Sequence, residues 1–223
     1  MLQDNTIALV IPCFNEALGL PHVLRDLPGC VDELIVVDNN STDGTADIAR
    51  AMGATVVAES RQGYGASYKA GFAAVKSDIV VTLDGDGTYP AGEIPRLVET
   101  LLRENLDFIS GCRFPLDDKR NMDFMSRLGN WGLTLATGLL FGYGLRDSQS
   151  GMWVFRARAL EHLRIESDGM PLSEEIKIEA IRRKLRFREI HIPYRLRFGE
   201  KKIRMLRDGL HNLCYLVYLR FRK

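Results

Sequence analysis

The chain has no apolar run long enough to cross a bilayer. The longest in its tail, Leu213 to Leu219, falls far short of the roughly 20 residues that a spanning helix needs. It also lacks a basic start followed by an apolar stretch and a small-residue cleavage site, so no secretory signal is expected. Cysteine is scarce. Cys13, Cys30, Cys112 and Cys214 include no two at the close spacing of a thiolate metal site or redox pair, which points to reduced, structural thiols in a cytosolic protein. There is no internal repeat and no low-complexity linker, and 223 residues suit one substantial core rather than two.

Net charge is scarce too, at +1, but the small total conceals an asymmetry. Residues 1–181 hold 16 basic and 26 acidic groups, a net −10, whereas residues 182–223 hold 14 basic and 3 acidic groups, a net +11. The final stretch is therefore built to meet something anionic: a phosphorylated substrate, an anionic membrane surface or a nucleic acid. No nucleic-acid motif accompanies it, so a nucleic-acid partner is not expected.

Short runs rich in Val and Ile alternate with segments of helical period, the pattern of βα units that lay down a mostly parallel sheet. Strands are expected at Ile7 to Ile11, Glu33 to Asp38, Thr55 to Ala58, Ile79 to Leu83 and Phe108 to Gly111. Helices are expected at Leu18 to Leu27, Thr45 to Met52, Gly65 to Val75 and Ile94 to Asn105. A looser region, Arg113 to Arg127, precedes a helix and turn within Leu128 to Leu145. Beyond it come a strand at Met152 to Phe155, a helix at Leu172 to Arg183 and a strand at Phe187 to Ile192. The division expected is a catalytic domain over residues 1–200 and a basic amphipathic tail over 201–223, with Ile203, Leu206, Leu210, Leu213 and Val217 at helical spacing.

Ligands of such sheets bind beyond the carboxyl ends of the strands, and polar clusters stand there: Asn15-Glu16, Asp38 to Asp43, and Asp84 to Thr88. The sharpest is Leu83-Asp84-Gly85-Asp86-Gly87. Two hard carboxylates one residue apart suit Mg²⁺ or Mn²⁺, which can bridge the phosphates of a nucleotide donor. Read alone, the same residues are equally a solvated Asp/Gly turn. Asp84-Gly85-Asp86-Gly87-Thr88 also resembles the nucleophile motif of haloacid-dehalogenase-like phosphatases, although that motif follows a first strand and this one follows the fourth.

Three motifs in order carry a broader resemblance: Ile11-Pro12-Cys13-Phe14-Asn15-Glu16, Val36-Val37-Asp38-Asn39-Asn40-Ser41-Thr42-Asp43-Gly44-Thr45, and Asp84-Gly85-Asp86. Together they resemble a family 2 glycosyltransferase of the GT-A fold, an α/β Rossmann-like single domain, similar to the dolichol-phosphate and polyprenyl-phosphate sugar synthases. The resemblance implies an inverting, metal-dependent hexosyltransferase. It places Pro12, Asn15, Glu16, Asp38, Gly63, Gly65 and Asp84 around the donor nucleotide, UDP more than GDP, and Asp84 and Asp86 on Mg²⁺ or Mn²⁺. Ser148, Gln149 and Ser150 would run under the sugar and acceptor. Arg113, Arg127, Arg197 and Lys202 would hold a polyprenyl or dolichyl phosphate. Glu174 and Glu175 stand where many members carry a base, beside Asp86 as catalytic candidates. Thr88 departs from the Gln often found in these synthases, and Lys201 from a Ser.

A base is needed only for a hydroxyl acceptor, because a lipid phosphate is already anionic. A glycan or small-molecule hydroxyl with a Glu base thus stays open as the second acceptor class, and a sugar-nucleotide binder without catalysis as a third reading. With the chain as given ending at Lys223, a lipid acceptor would be met from the cytoplasmic face of a membrane, the tail helix lying in the interface. Packing of that helix on the domain's own core or on a second copy is the rival reading.

Overall fold

Unbroken apolar runs, with both faces covered, are what a central parallel strand requires, and they form the middle of the sheet. In this computed structural model, which describes residues 1–199, 202 and 205–222, the strands are β1 (Ile7–Cys13), β2 (Glu33–Asp38), β3 (Thr55–Ala58), β4 (Ile79–Thr82), β5 (Phe108–Cys112), β6 (Trp153–Arg156) and β7 (Phe187–His191). They lie in the order β3-β2-β1-β4-β6-β5-β7. The first four are mutually parallel, β6 runs antiparallel to both its neighbours, and β7 is parallel to β5. The sheet is mostly parallel, as expected, with one reversed strand.

The α-helices among the described residues are α1 (Leu20–Arg25), α2 (Thr45–Ala51), α3 (Tyr64–Ala74), α4 (Ile94–Arg103), α5 (Phe124–Phe141), α6 (Leu172–Arg182) and α7 (Met205–Phe221). Alternate residues of β1 serve two cores. Ile7, Leu9 and Ile11 pack with Leu97, Val98 and Leu101 of α4, while Val10 packs with Tyr68 and Phe72 of α3 and Ile176 of α6. On α4 the buried positions Ile94, Leu97, Val98 and Leu101 have the spacing of one helix face.

Most boundaries shift by one or two residues, and two larger features differ from the sequence reading. Helix α5 begins at Phe124, not Leu128, because the Asp123 carboxylate accepts the Ser126 N–H at 2.8 Å and caps the helix four residues early. It ends where Gly142 takes a left-handed φ of 73°, the usual stop. Arg127 therefore rides on a helix. The second difference concerns the tail, where Leu216 and Leu219 of α7 are fully buried against Ile178 of α6. Leu210, Leu213 and Val217 stay exposed; Ile203, the Leu206 side chain and Lys201 lie outside the described residues. No described helix is long and apolar enough to cross a membrane.

Candidate active site

Because β1, β2 and β4 run parallel, with Cys13 opposite Asp38 and Val10 opposite Thr82, their following loops meet on one edge. A cavity of about 260 Å³ opens there, lined by Pro12, Glu16, Gly63, Asp84, Asp86 and Lys202 among others. Asp84 accepts a hydrogen bond from the Tyr64 hydroxyl at 3.1 Å. Burial, and then the neighbouring Asp86, push its carboxyl up to about 7. Asp86 is 2% exposed. One of its oxygens accepts the Thr88 N–H at 2.9 Å and the Thr88 hydroxyl at 2.7 Å, and the other meets the Arg197 guanidinium at 2.6 Å.

The segment after β7 lies across this edge. Arg195 N–H donates to Thr88 O and Phe198 N–H to Asp86 O, while the Phe198 ring stacks on His22 at 4.1 Å. Lys202 Nζ reaches the Glu16 carboxylate at 2.5 Å and donates to Asn15 O at 2.7 Å. Burial raises the Glu16 carboxyl, and Lys202 counters it in part. The basic stretch after β7 thus brings two cations onto acidic groups more than a hundred residues away.

A larger cavity, about 400 Å³, adjoins the first and shares Arg113, Gln149, Met170, Tyr194, Arg197 and Asp208 with it. Its lining joins apolar side chains, Met122, Leu133 and Leu196, to polar ones, among them Asn121, Asp123 and Asp208. Arg113, 7% exposed, grips Asp147 through two bonds of 2.8 Å and lies over the Tyr194 ring at 5.2 Å. Burial opposes charge on both partners, yet each holds the other ionised: Asp147 sits well below, and Arg113 well above, the ordinary range. Asp147 also accepts from Asn130 at 2.9 Å.

Several expected site residues support the cleft without lining it. Asn15 takes a left-handed φ of 55° and its side-chain oxygen accepts the Thr42 N–H at 2.8 Å, so it braces the loops after β1 and β2. Asp38 accepts the Ser41 N–H at 3.3 Å. Gly63 lines the smaller cavity, but both glycines of that turn answer to the loop before α6: a Cβ on Gly63 would stand 2.1 Å from Asp168 O, and one on Gly65 would stand 2.2 Å from Ser167 O. Gly151 is similarly constrained, since a Cβ there would meet the Tyr64 hydroxyl at 2.2 Å. Ser148 and Ser150 are fully buried. Arg127 stacks against Phe124 and leaves a buried Nε without a partner.

Neither Glu174 nor Glu175 lines either cavity. Glu175 is fully buried; one oxygen accepts from Tyr215 at 3.0 Å and Arg222 at 2.7 Å. The other accepts two backbone N–H groups, of Glu166 and Ser167. Glu174, also fully buried, accepts from the Gln149 amide, and burial raises its carboxyl far above the ordinary range.

Sequence reasoning overlooked Tyr64, Lys177, Asn212 and Arg222. Lys177 is fully buried and donates to the Asp147 and Ser148 carbonyls at 2.8 and 2.9 Å; burial lowers its ammonium to about 8. Its place among the other charged residues of α6 offered no signal. Tyr64 could have been found, because it stands inside the glycine turn already singled out.

The chemistry of the Asp84–Asp86 pair fits a divalent cation: hard oxygen donors in a buried setting, one of them now met by Arg197. Among the described residues no group of three or more His, Cys, Asp or Glu side chains could hold a metal ion, so further donors would come from a ligand.

Comparison with known proteins bears on the family and the fold. The model of Glycosyl transferase family 2 matches residues 8–164. A dolichyl-phosphate hexose transferase of Haloferax volcanii is 34% identical over 203 residues, spanning 89% of this chain and 87% of that protein. The low-salt glycan biosynthesis hexosyltransferase Agl6 of the same organism is 29% identical over 95% of this chain and 53% of its own length. Among solved structures, glucosyl-3-phosphoglycerate synthase from Mycobacterium tuberculosis, in complex with Mn²⁺, UDP and glucosyl-3-phosphoglycerate, superposes with a TM-score of 0.75. It is 24% identical, over 97% of this chain and 80% of that one. The phosphatase and non-catalytic readings of the Asp84 motif give way to these matches, and the chain belongs to glycosyltransferase family 2, an enzyme of the GT-A fold.

Proposed function

We propose that this enzyme transfers a hexose from a nucleoside diphosphate sugar, UDP-linked more than GDP-linked, to a polyprenyl or dolichyl phosphate, with inversion at the anomeric carbon. The observation that carries the acceptor is the larger cavity: apolar sides from Met122, Leu133, Met170 and Leu196, with Arg113 and Arg197 where it meets the carboxylate pair. An amphiphile with an anionic end matches that lining, and the dolichyl-phosphate relative supports the same choice.

The smaller cavity is the donor side, with Pro12, Glu16 and Gly63 near the nucleotide and Asn15 and Asp38 shaping the loops that enclose it. Asp84 and Asp86 would hold Mg²⁺ or Mn²⁺, which neutralises the diphosphate as it leaves. Arg197 touches Asp86 and faces both cavities, so it can follow negative charge from acceptor to leaving group. Arg113 is already paired with Asp147 and offers a fixed, partly neutralised guanidinium. Lys202 supplies further charge in the smaller cavity, whereas Arg127 lines neither cavity. An acceptor phosphate needs no base, which suits the placement of Glu174 and Glu175 outside the cavities; both are assigned structural roles. Exposed apolar residues of α5 (Phe124, Trp131, Leu139) and α7 (Leu213, Val217, Phe221) support a peripheral position on a membrane surface.

The test is transfer itself. Purified protein with Mn²⁺, a panel of UDP- and GDP-hexoses and short polyprenyl phosphates is expected to yield a glycosylated lipid phosphate by mass spectrometry. Transfer to soluble hydroxyl compounds or to phosphoglycerate, with none to any lipid phosphate, would overturn the acceptor.

A further inference from the structure

One hydrogen-bonded chain crosses the junction of the two cavities and ends on the C-terminal helix. Gln149 lines both cavities. Its Nε2 donates to Ser148 Oγ at 3.0 Å and to Glu174 Oε1, which uses both amide hydrogens. Its Oε1 accepts from Asn212 Nδ2 at 2.9 Å. Asn212, from the middle of α7, is 3% exposed, lines the larger cavity, and has a buried Oδ1 without any partner.

In the structure the chain runs in one direction. Gln149 donates to Glu174 and presents its oxygen towards Asn212. Asn212 turns its nitrogen to Gln149, leaving Oδ1 over. What remains at the junction is a lone pair on Gln149 Oε1, the unpaired Asn212 Oδ1 and the second N–H of Asn212 Nδ2. A neutral amide that offers an acceptor and a donor together matches hydroxyl groups, which also do both. A buried acceptor that lacks a partner costs free energy, and a sugar hydroxyl would relieve that cost.

We propose that Asn212 is a specificity-determining residue for the transferred sugar, acting with Gln149, so that α7 forms a wall of the transfer site. The inference rests on the sugar-nucleotide reading above. It also assigns the basic tail a second part. Leu216 and Leu219 anchor α7 on the body, while Arg222 ties its end to Glu175 and Glu179 at 2.7 and 2.8 Å, holding Asn212 in register.

The experiment is calorimetric titration of the full chain with UDP, UDP-glucose, UDP-galactose and the GDP-linked hexoses in Mn²⁺, for wild type, Asn212→Ala and Asn212→Asp. The aspartate keeps the shape and the oxygen but loses the donor to Gln149, so it tests the chain where alanine tests the contact. Both variants are expected to weaken the preferred sugar nucleotide by about tenfold, the equivalent of ~1.4 kcal/mol. They should leave the bare nucleoside diphosphate within twofold and narrow the preference between epimeric sugars. If sugar nucleotide and bare nucleotide weaken together, or neither changes, Asn212 does not read the sugar. Circular dichroism melts report whether α7 stays packed; a variant with a lowered Tm and uniform loss of binding counts against the proposal. Wild-type protein that binds no sugar nucleotide would overturn the donor assignment, and this inference with it.

Discussion

Replacing Asp147 by asparagine removes one charge and little volume from a pair with side-chain exposures of 9% and 0%. The carboxylate now accepts three bonds from Arg113, through the backbone N–H, Nε and Nη2, at 2.8–2.9 Å, and one from Asn130. Asparagine can keep one or two of these, but leaves the guanidinium buried beside a neutral amide. Breaking one side of a buried pair costs about 3–5 kcal/mol, a large part of the roughly 5–15 kcal/mol that holds a domain together. Urea unfolding at pH 7 should show the loss as a lower midpoint at unchanged slope. The sign with pH follows from the direction of the shift. Asp147 is held below its unfolded value, so its contribution is complete above the unfolded pKa of about 3.9 and is lost only as pH falls through the depressed folded value. The wild-type and Asp147→Asn curves should therefore run parallel from pH 5 to 7 and converge only in strong acid. A difference below about 1 kcal/mol at pH 7, the size of an ordinary hydrogen bond, would refute the claim that Arg113 is fixed by a desolvated charge.

Glu175→Gln should cost about 1–3 kcal/mol of stability, because Arg222 loses one charged partner but keeps Glu166 and Glu179, while kcat at a temperature where the variant is folded stays within a few-fold; a loss of a thousandfold in kcat would restore Glu175 as a base. Asp86→Asn should lower kcat/KM by at least about a hundredfold and abolish any response to added Mn²⁺, measured by initial rates after chelation and readdition. Lys177 binds its proton less tightly folded, near 8, than unfolded, near 10.5. The unfolded chain thus holds more protons between those values, and stability should rise with pH across that window, by roughly 1–3 kcal/mol; denaturation of wild type and Lys177→Met at pH 7.5 and 9.5 isolates the slope, which the variant should lack.

The readable parts of this chain are those whose causes are local. Ile7 to Ile11 and Ile79 to Leu83 announce buried strands because both faces must be apolar, and the α4 stripe of Ile94, Leu97, Val98 and Leu101 announces its own packing. The Asp84–Asp86 pair was legible for the same reason: a strand end, a glycine turn and two carboxylates are neighbours in sequence. The start of α5 was missed, since Asp123 competes as a cap within a stretch rich in other polar residues. The tail pattern pointed to Leu210, Leu213 and Val217, yet the packed face carries Asn212, Leu216 and Leu219.

The sequence by itself determined the order of βα units, the edge on which the loops after the parallel strands gather and the acidic pair among them. Periodicity, strand ends and short motifs act over a few residues, and there the sequence speaks plainly. Only the tertiary structure decided which charges are free to act. Arg113 is bound to Asp147, Glu175 to Arg222 47 residues away, and Asn212 is placed against Gln149 63 residues away. Those pairings depend on desolvation and on which helix faces which, and both arise only when distant segments close the same core.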